Sequence, residues 1–169
     1  MVILPLNRRA FITALGASAA YPHVALADDY IDLDWQDLLP LGETSLPREL
    51  AELTDHSNTN PSSQQPLSSG VRTDWNGQIV RIPGFMVPLE YSGTGVTAFI
   101  LVPFVGACVH VPPPPSNQLV FVTTQKPYES KGLYDPINVI GMFGTAPVST
   151  QLADISYALS ADEIVPYSG

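Results

Sequence analysis

The sequence predicts a mainly β protein: a small five-stranded barrel preceded by an N-terminal arm and one short helix. Three observations predict it. The 17 prolines and 12 glycines among 169 residues interrupt the chain too often for long helices. From Val71 onward, apolar runs of strand length recur between clusters of turn residues. Finally, 45% apolar residues against 14% charged ones supply a core for one domain of this length.

Four regions follow in chain order: a leader at 1–27, an acidic arm at 28–56, a flexible linker at 57–70 and the barrel at 71–169. The leader carries Arg8-Arg9, a spacer, then Phe11 and Ile12, which resembles a twin-arginine export signal. The weakly apolar run Ala14–Ala20 is too short to span a membrane. Ala25-Leu26-Ala27 offers a small-x-small cleavage site ahead of Asp28 and Asp29, with no cysteine there to take a lipid anchor. The expectation is a periplasmic protein of a Gram-negative bacterium, with no membrane span once the signal is removed.

The arm contains Asp34-Trp35-Gln36-Asp37-Leu38-Leu39-Pro40 and then a predicted short helix around Pro47–Leu53. Pro47 suits the first helical turn, and Glu49 and Glu52 favour the positive end of the helix dipole. Residues 57–70 are polar and of low complexity, with little to bury. Trp35 and Trp75 are expected to anchor arm and barrel.

Five strands are predicted in the barrel. Asn76-Gly77, a strong hairpin signal, precedes Gln78–Leu89, whose Gly84 marks a kink. Val96–Val105 is the second run. Gln118–Thr124 is apolar on both faces, as in a central strand. Pro136–Thr145 carries Gly141 and Gly144, which permit a bend or bulge. Ile155, Tyr157, Leu159 and Ala161 alternate with polar residues, as in a half-buried strand. Five strands, the first long and kinked, fit an OB-type barrel, whereas a sandwich needs about seven. Because every periodic strand lies within 71–166, that region is expected to fold without the arm.

Charge excludes one class of function. Seven basic residues face 16 acidic ones, a net charge of −9. Loss of Arg8 and Arg9 with the leader takes the mature chain to −11. Binding to nucleic acid through its phosphates is therefore disfavoured. A single cysteine excludes an internal disulfide and a cysteine-rich zinc site. No P-loop, haem-attachment motif or nucleophile elbow is present, so no catalytic set is assigned and a non-enzyme is expected.

One segment is chemically loaded: Cys108-Val109-His110-Val111, then Pro112, Pro113, Pro114 and Pro115, then Ser116, Asn117 and Gln118. On an extended backbone Cys108 and His110 share a face and could both reach Zn²⁺ or Cu⁺. Further ligands would have to come from His56, Glu90, Glu129, Asp135 or another protein. Against this stands the ordinary use of a lone cysteine as a small buried hydrophobe. The prolines make a stiff spacer, so Pro112–Pro115 with Asn117 and Gln118 also read as a structural or interaction loop.

The block Val80–Glu90, the run Phe99–Pro103 and the string Cys-x-His-x-Pro-Pro-Pro-Pro-x-Asn-Gln at 108–118 resemble a family of exported bacterial proteins catalogued as a domain of unknown function. The resemblance spans roughly Trp75 to Ile164, and Trp35–Pro40 matches its N-terminal arm. It implies an OB-like barrel and a periplasmic accessory role, in some members beside ABC transporters including metal-uptake systems, with Cys108 and His110 at the signature position. Two readings follow: an accessory protein that handles a soft metal ion or assists an ABC transporter, or a structural interaction module with no metal and no catalysis.

Overall fold

The computed structural model describes residues 29–43 and 65–167. Among them are six strands: β1 (Ile31–Asp32), β2 (Gln78–Ser92), β3 (Gly95–Val102), β4 (Val120–Tyr128), β5 (Asp135–Ser149) and β6 (Asp154–Pro166). Strands β2 to β6 are the five expected from the sequence. Helical structure among the described residues is confined to two short 3-10 turns, Trp35–Leu38 and Ser116–Gln118. The expected helix at 47–53 lies outside the described residues.

The strands close into a barrel in the order β2-β3-β4-β6-β5 and back to β2. All barrel pairs are antiparallel except β4–β6, which runs parallel from Val120↔Tyr157 to Thr124↔Ala161. This is the Greek-key closure of an OB barrel. The long first barrel strand makes closure possible. Its first half pairs with β5, from Gln78↔Phe143 to Met86↔Asp135, and its second half pairs with β3, from Phe85↔Val102 to Ser92↔Gly95. At the transfer point sits Gly84, where a Cβ would lie 2.7 Å from Leu101 Cγ. Only a residue without a side chain lets β2 pass that close to β3.

Two cores result. Val80, Ile82, Met86, Phe99, Leu101, Val122, Val139 and Tyr157 fill the barrel interior. Val87, Ile100, Val102, Cys108, Leu119 and Ile155 form a second core. Alternation along β3 sends Phe99 and Leu101 inward and Ile100 and Val102 outward, so the strand is buried on both faces. The outward face is covered by the loop between β3 and β4, residues 103–119.

One expectation needs correction. The Asn76-Gly77 turn forms, with Gln78 N donating to Trp75 O at 3.1 Å, but no described strand precedes it and no hairpin results. The segment before the turn has its donors met by side chains instead, for example Arg72 N by the Tyr157 hydroxyl at 2.7 Å.

The arm packs against the barrel. Leu33 and Leu38 of the arm are buried in the barrel core, the carbonyl of Leu38 accepts from the Tyr157 hydroxyl at 2.8 Å, and β1 extends the sheet beside β2. Arm residues thus form part of the barrel core. Asp34 and Asp37 shape the arm's turn by a reciprocal cap: Asp34 Oδ1 accepts from Trp35 N, and Asp37 Oδ2 accepts from Asp34 N.

Of the linker, residues 57–64 lie outside the described residues. Its last residues run along the barrel: Gln65 donates to Pro114 O and Asp154 O and accepts from Asp154 N, each at 2.8 Å.

Candidate functional site

The signature segment does not run extended. After β3 the chain turns tightly about the carbonyl of Gly106, which accepts from His110 N at 2.9 Å and from Val111 N at 3.1 Å. Cys108 takes φ +67°, a left-handed conformation that L-residues adopt rarely. A two-residue separation therefore no longer means a shared face. Cys108 is fully buried among Ile100, Val102, Ala107 and Leu119, whereas His110 is exposed.

The second positive-φ residue other than glycine, Tyr134 at φ +62°, holds this turn from outside. Its hydroxyl donates to Ala107 O at 2.9 Å, and its backbone N donates to Met86 O at 2.8 Å. The His110 ring sits beside it, centroids 6.2 Å apart. Tyr134 was not legible as part of the site, because nothing in its local sequence signals a contact across 27 residues.

The rest of the string braces the fold. Pro113 and Pro114 are buried. Asn117 Nδ2 donates to Gly70 O at 2.7 Å and to Ser69 Oγ at 3.2 Å, tying the end of the linker. Gln118 Nε2 donates to Trp35 O at 2.9 Å, tying the arm. Both amides are buried and their N–H groups satisfy backbone carbonyls, while Asn117 Oδ1 meets no partner among the described residues.

The expected metal ligands are not brought together. Glu90 and Glu129 are exposed, the latter accepting from Thr94 Oγ1, while Asp135 is buried and accepts from Lys131 N at 2.9 Å. His56 lies outside the described residues. Among the described residues no three of His, Cys, Asp and Glu gather closely enough to hold an ion. The donor chemistry at Cys108 also fits Zn²⁺ or Cu⁺ poorly. Burial pushes its thiol up to about 12, so the thiolate that coordinates a metal or attacks an electrophile is disfavoured.

That shift fixes a pH dependence. The unfolded thiol ionises near roughly 8.5, while the folded one stays neutral to about 12. The stability contribution is thus complete below the unfolded value and is lost as pH rises through the interval. Urea-unfolding free energy should fall by about 1.4 kcal/mol per pH unit within that window from this group alone. Cys108→Ala should remove this slope relative to the parent, measured at pH 8 to 11. Parallel curves for the two proteins would show that the thiol ionises freely.

One geometric consequence reaches beyond the pair. OB barrels take oligonucleotides and sugars on the outer face of their second and third strands, here β3 and β4. In this protein the Cys108 loop packs on that face and buries Ile100 and Val102 completely.

A family model described as a protein of unknown function, DUF3299, matches residues 35–166. Its match starts at Trp35, so it includes the arm. Among solved structures, the crystal structure of a DUF3299 family protein from Pseudomonas aeruginosa PAO1 is 38% identical, covers 83% of this chain and 97% of its own, and superimposes with a TM-score of 0.71. No curated protein matches this chain.

Proposed function

The chain belongs to the DUF3299 family, and we propose that it is an exported accessory module that binds a partner protein and carries no catalytic site of its own. The observation that carries this reading is the use of the signature string. Its thiol is sealed in a core, Pro113 and Pro114 are buried, and its two amide nitrogens donate to the backbone of arm and linker. A nucleophile needs an accessible thiolate with a base in reach, and an ion needs donors facing one point; burial of Cys108 opposes both. The covered outer face of β3 and β4, together with the acidic charge, likewise disfavours an oligonucleotide ligand.

Fractionation and thiol chemistry test this together. The protein is recovered from the periplasmic fraction of its own host, then treated with an aromatic disulfide reagent and titrated with Zn²⁺ or Cu⁺. The expected result is periplasmic recovery, labelling of Cys108 only on unfolding, and no metal-dependent rise in melting temperature for the parent, Cys108→Ala or His110→Ala. Rapid native labelling, or tight metal binding lost in both variants, returns the function to the Cys108–His110 pair. Recovery of the processed protein in the cytoplasm overturns export.

A further inference from the structure

At the seam between arm and barrel, Trp35, Phe85 and Tyr167 with Pro83, Pro103 and Pro136 line an open trough of about 240 Å³. We propose that this trough docks a basic, proline-rich segment of a partner protein, held as a polyproline II helix. The inference rests on the partner-binding reading above and names a place and a chemistry for it.

The walls favour this occupant. Polyproline II segments present rings without internal hydrogen bonds, and aromatic-lined grooves bind them because the helix is formed in advance and loses little entropy. Here the groove is also formed in advance. Trp35 Nε1 donates to Pro83 O at 2.8 Å, which fixes the indole, and Tyr167 N donates to Pro136 O at 2.9 Å, which fixes the opposite wall. Tyr167 is 52% exposed, and its hydroxyl bonds to no other described residue. It supplies one donor, in an otherwise apolar trough, for a carbonyl of the bound segment.

Charge selects among occupants. Asp34 and Asp37 stand on the turn that carries Trp35, and the whole chain has a net charge of −9. Lysine or arginine beside the prolines complements the carboxylates of that turn and the net negative charge, while an anionic membrane surface is repelled. A second copy fits poorly: it carries the same charge, and Pro113 and Pro114 of its own proline run are buried.

The test is a nuclear magnetic resonance titration of the ¹⁵N-labelled full chain with decaproline carrying two arginines at each end, and with the same peptide carrying glutamates. The Trp35 indole N–H signal should shift with a dissociation constant on the order of 100 μM for the arginine peptide. That peptide should bind about 5-fold tighter than the glutamate one at low salt, with the difference shrinking near 0.5 M salt. Tyr167→Ala should weaken binding about 10-fold, whereas Met142→Ala, an exposed residue of β5 outside the trough, should leave it unchanged. No shift at about 2 mM peptide, unaltered binding by Tyr167→Ala, or equal affinity for both peptides overturns the proposal. So does a Trp35 signal that moves with protein dilution alone, which would assign the trough to a second copy. These outcomes are independent of Cys108 reactivity, so failure of the trough and failure of the accessory reading are told apart.

Discussion

Replacing Gly141 with alanine is expected to cost on the order of 4 kcal/mol and to leave much of the protein unfolded at 37 °C. Between β5 and β6, Ile140 pairs with Glu163 but Gly141 pairs with Ala161, so Asp162 is an extra residue bulged out of the ladder. The bulge brings the two backbones together. A Cβ on Gly141 would lie 2.1 Å from Ser160 O and 2.8 Å from Ala161 Cα. Both obstacles are backbone, so no rotamer change relieves the clash, and the β5–β6 ladder has to separate. Gly144, in the same strand, meets nothing within 4 Å and serves as the control. Gly144→Ala should be neutral or stabilise slightly, because alanine restricts the unfolded chain. Urea unfolding of the two variants measures the contrast. Similar midpoints for both would mean that the bulge yields without cost.

Leu38→Ala is expected to cost about 3 kcal/mol, and the isolated 71–169 fragment to lose cooperative unfolding. Leu38 is fully buried inside the barrel core, so truncation leaves a cavity in a closed space that cannot collapse around it. Removing the whole arm does more. It takes away Leu33 and Leu38, leaves the Tyr157 hydroxyl without its carbonyl acceptor, and leaves Gln118 without the carbonyl of Trp35. Calorimetry on the full chain, Leu38→Ala and the fragment checks this in order of increasing damage. A sharp transition in the fragment near the parent melting temperature would show that the barrel closes alone and that the arm is an attachment.

Much of the barrel was legible because its determinants are local. Apolar alternation in Ile155–Ala161 and the unbroken run in Gly95–Val102 follow from which faces are buried, and Gly84 and Gly141 stand where the backbone must bend or approach closely. The arm was harder to read. A two-residue strand such as Ile31–Asp32 has no period to detect, and the depth of Leu38 depends on a barrel formed by residues at least 40 positions away. The site was least legible. Spacing puts Cys108 and His110 on one face only if the backbone is extended, and extension is decided elsewhere.

The sequence by itself determined a mainly β chain, the five barrel strands, glycines at 84, 141 and 144 where a strand can kink or bulge, and an acidic balance of charge that opposes phosphate binding. Each of these depends on side-chain periodicity, on the conformational range of single residues or on summed charge, none of which needs a distant partner. The tertiary structure alone decided that Leu33 and Leu38 of the arm enter the core and that Cys108 is buried while His110 is exposed. The carbonyl of Gly106 gathers the turn, Tyr134 pins it through Ala107, and the outward apolar face of β3 draws the thiol inward. Burying that face stabilises the fold enough to hold Cys108 in a left-handed conformation that its own sequence disfavours.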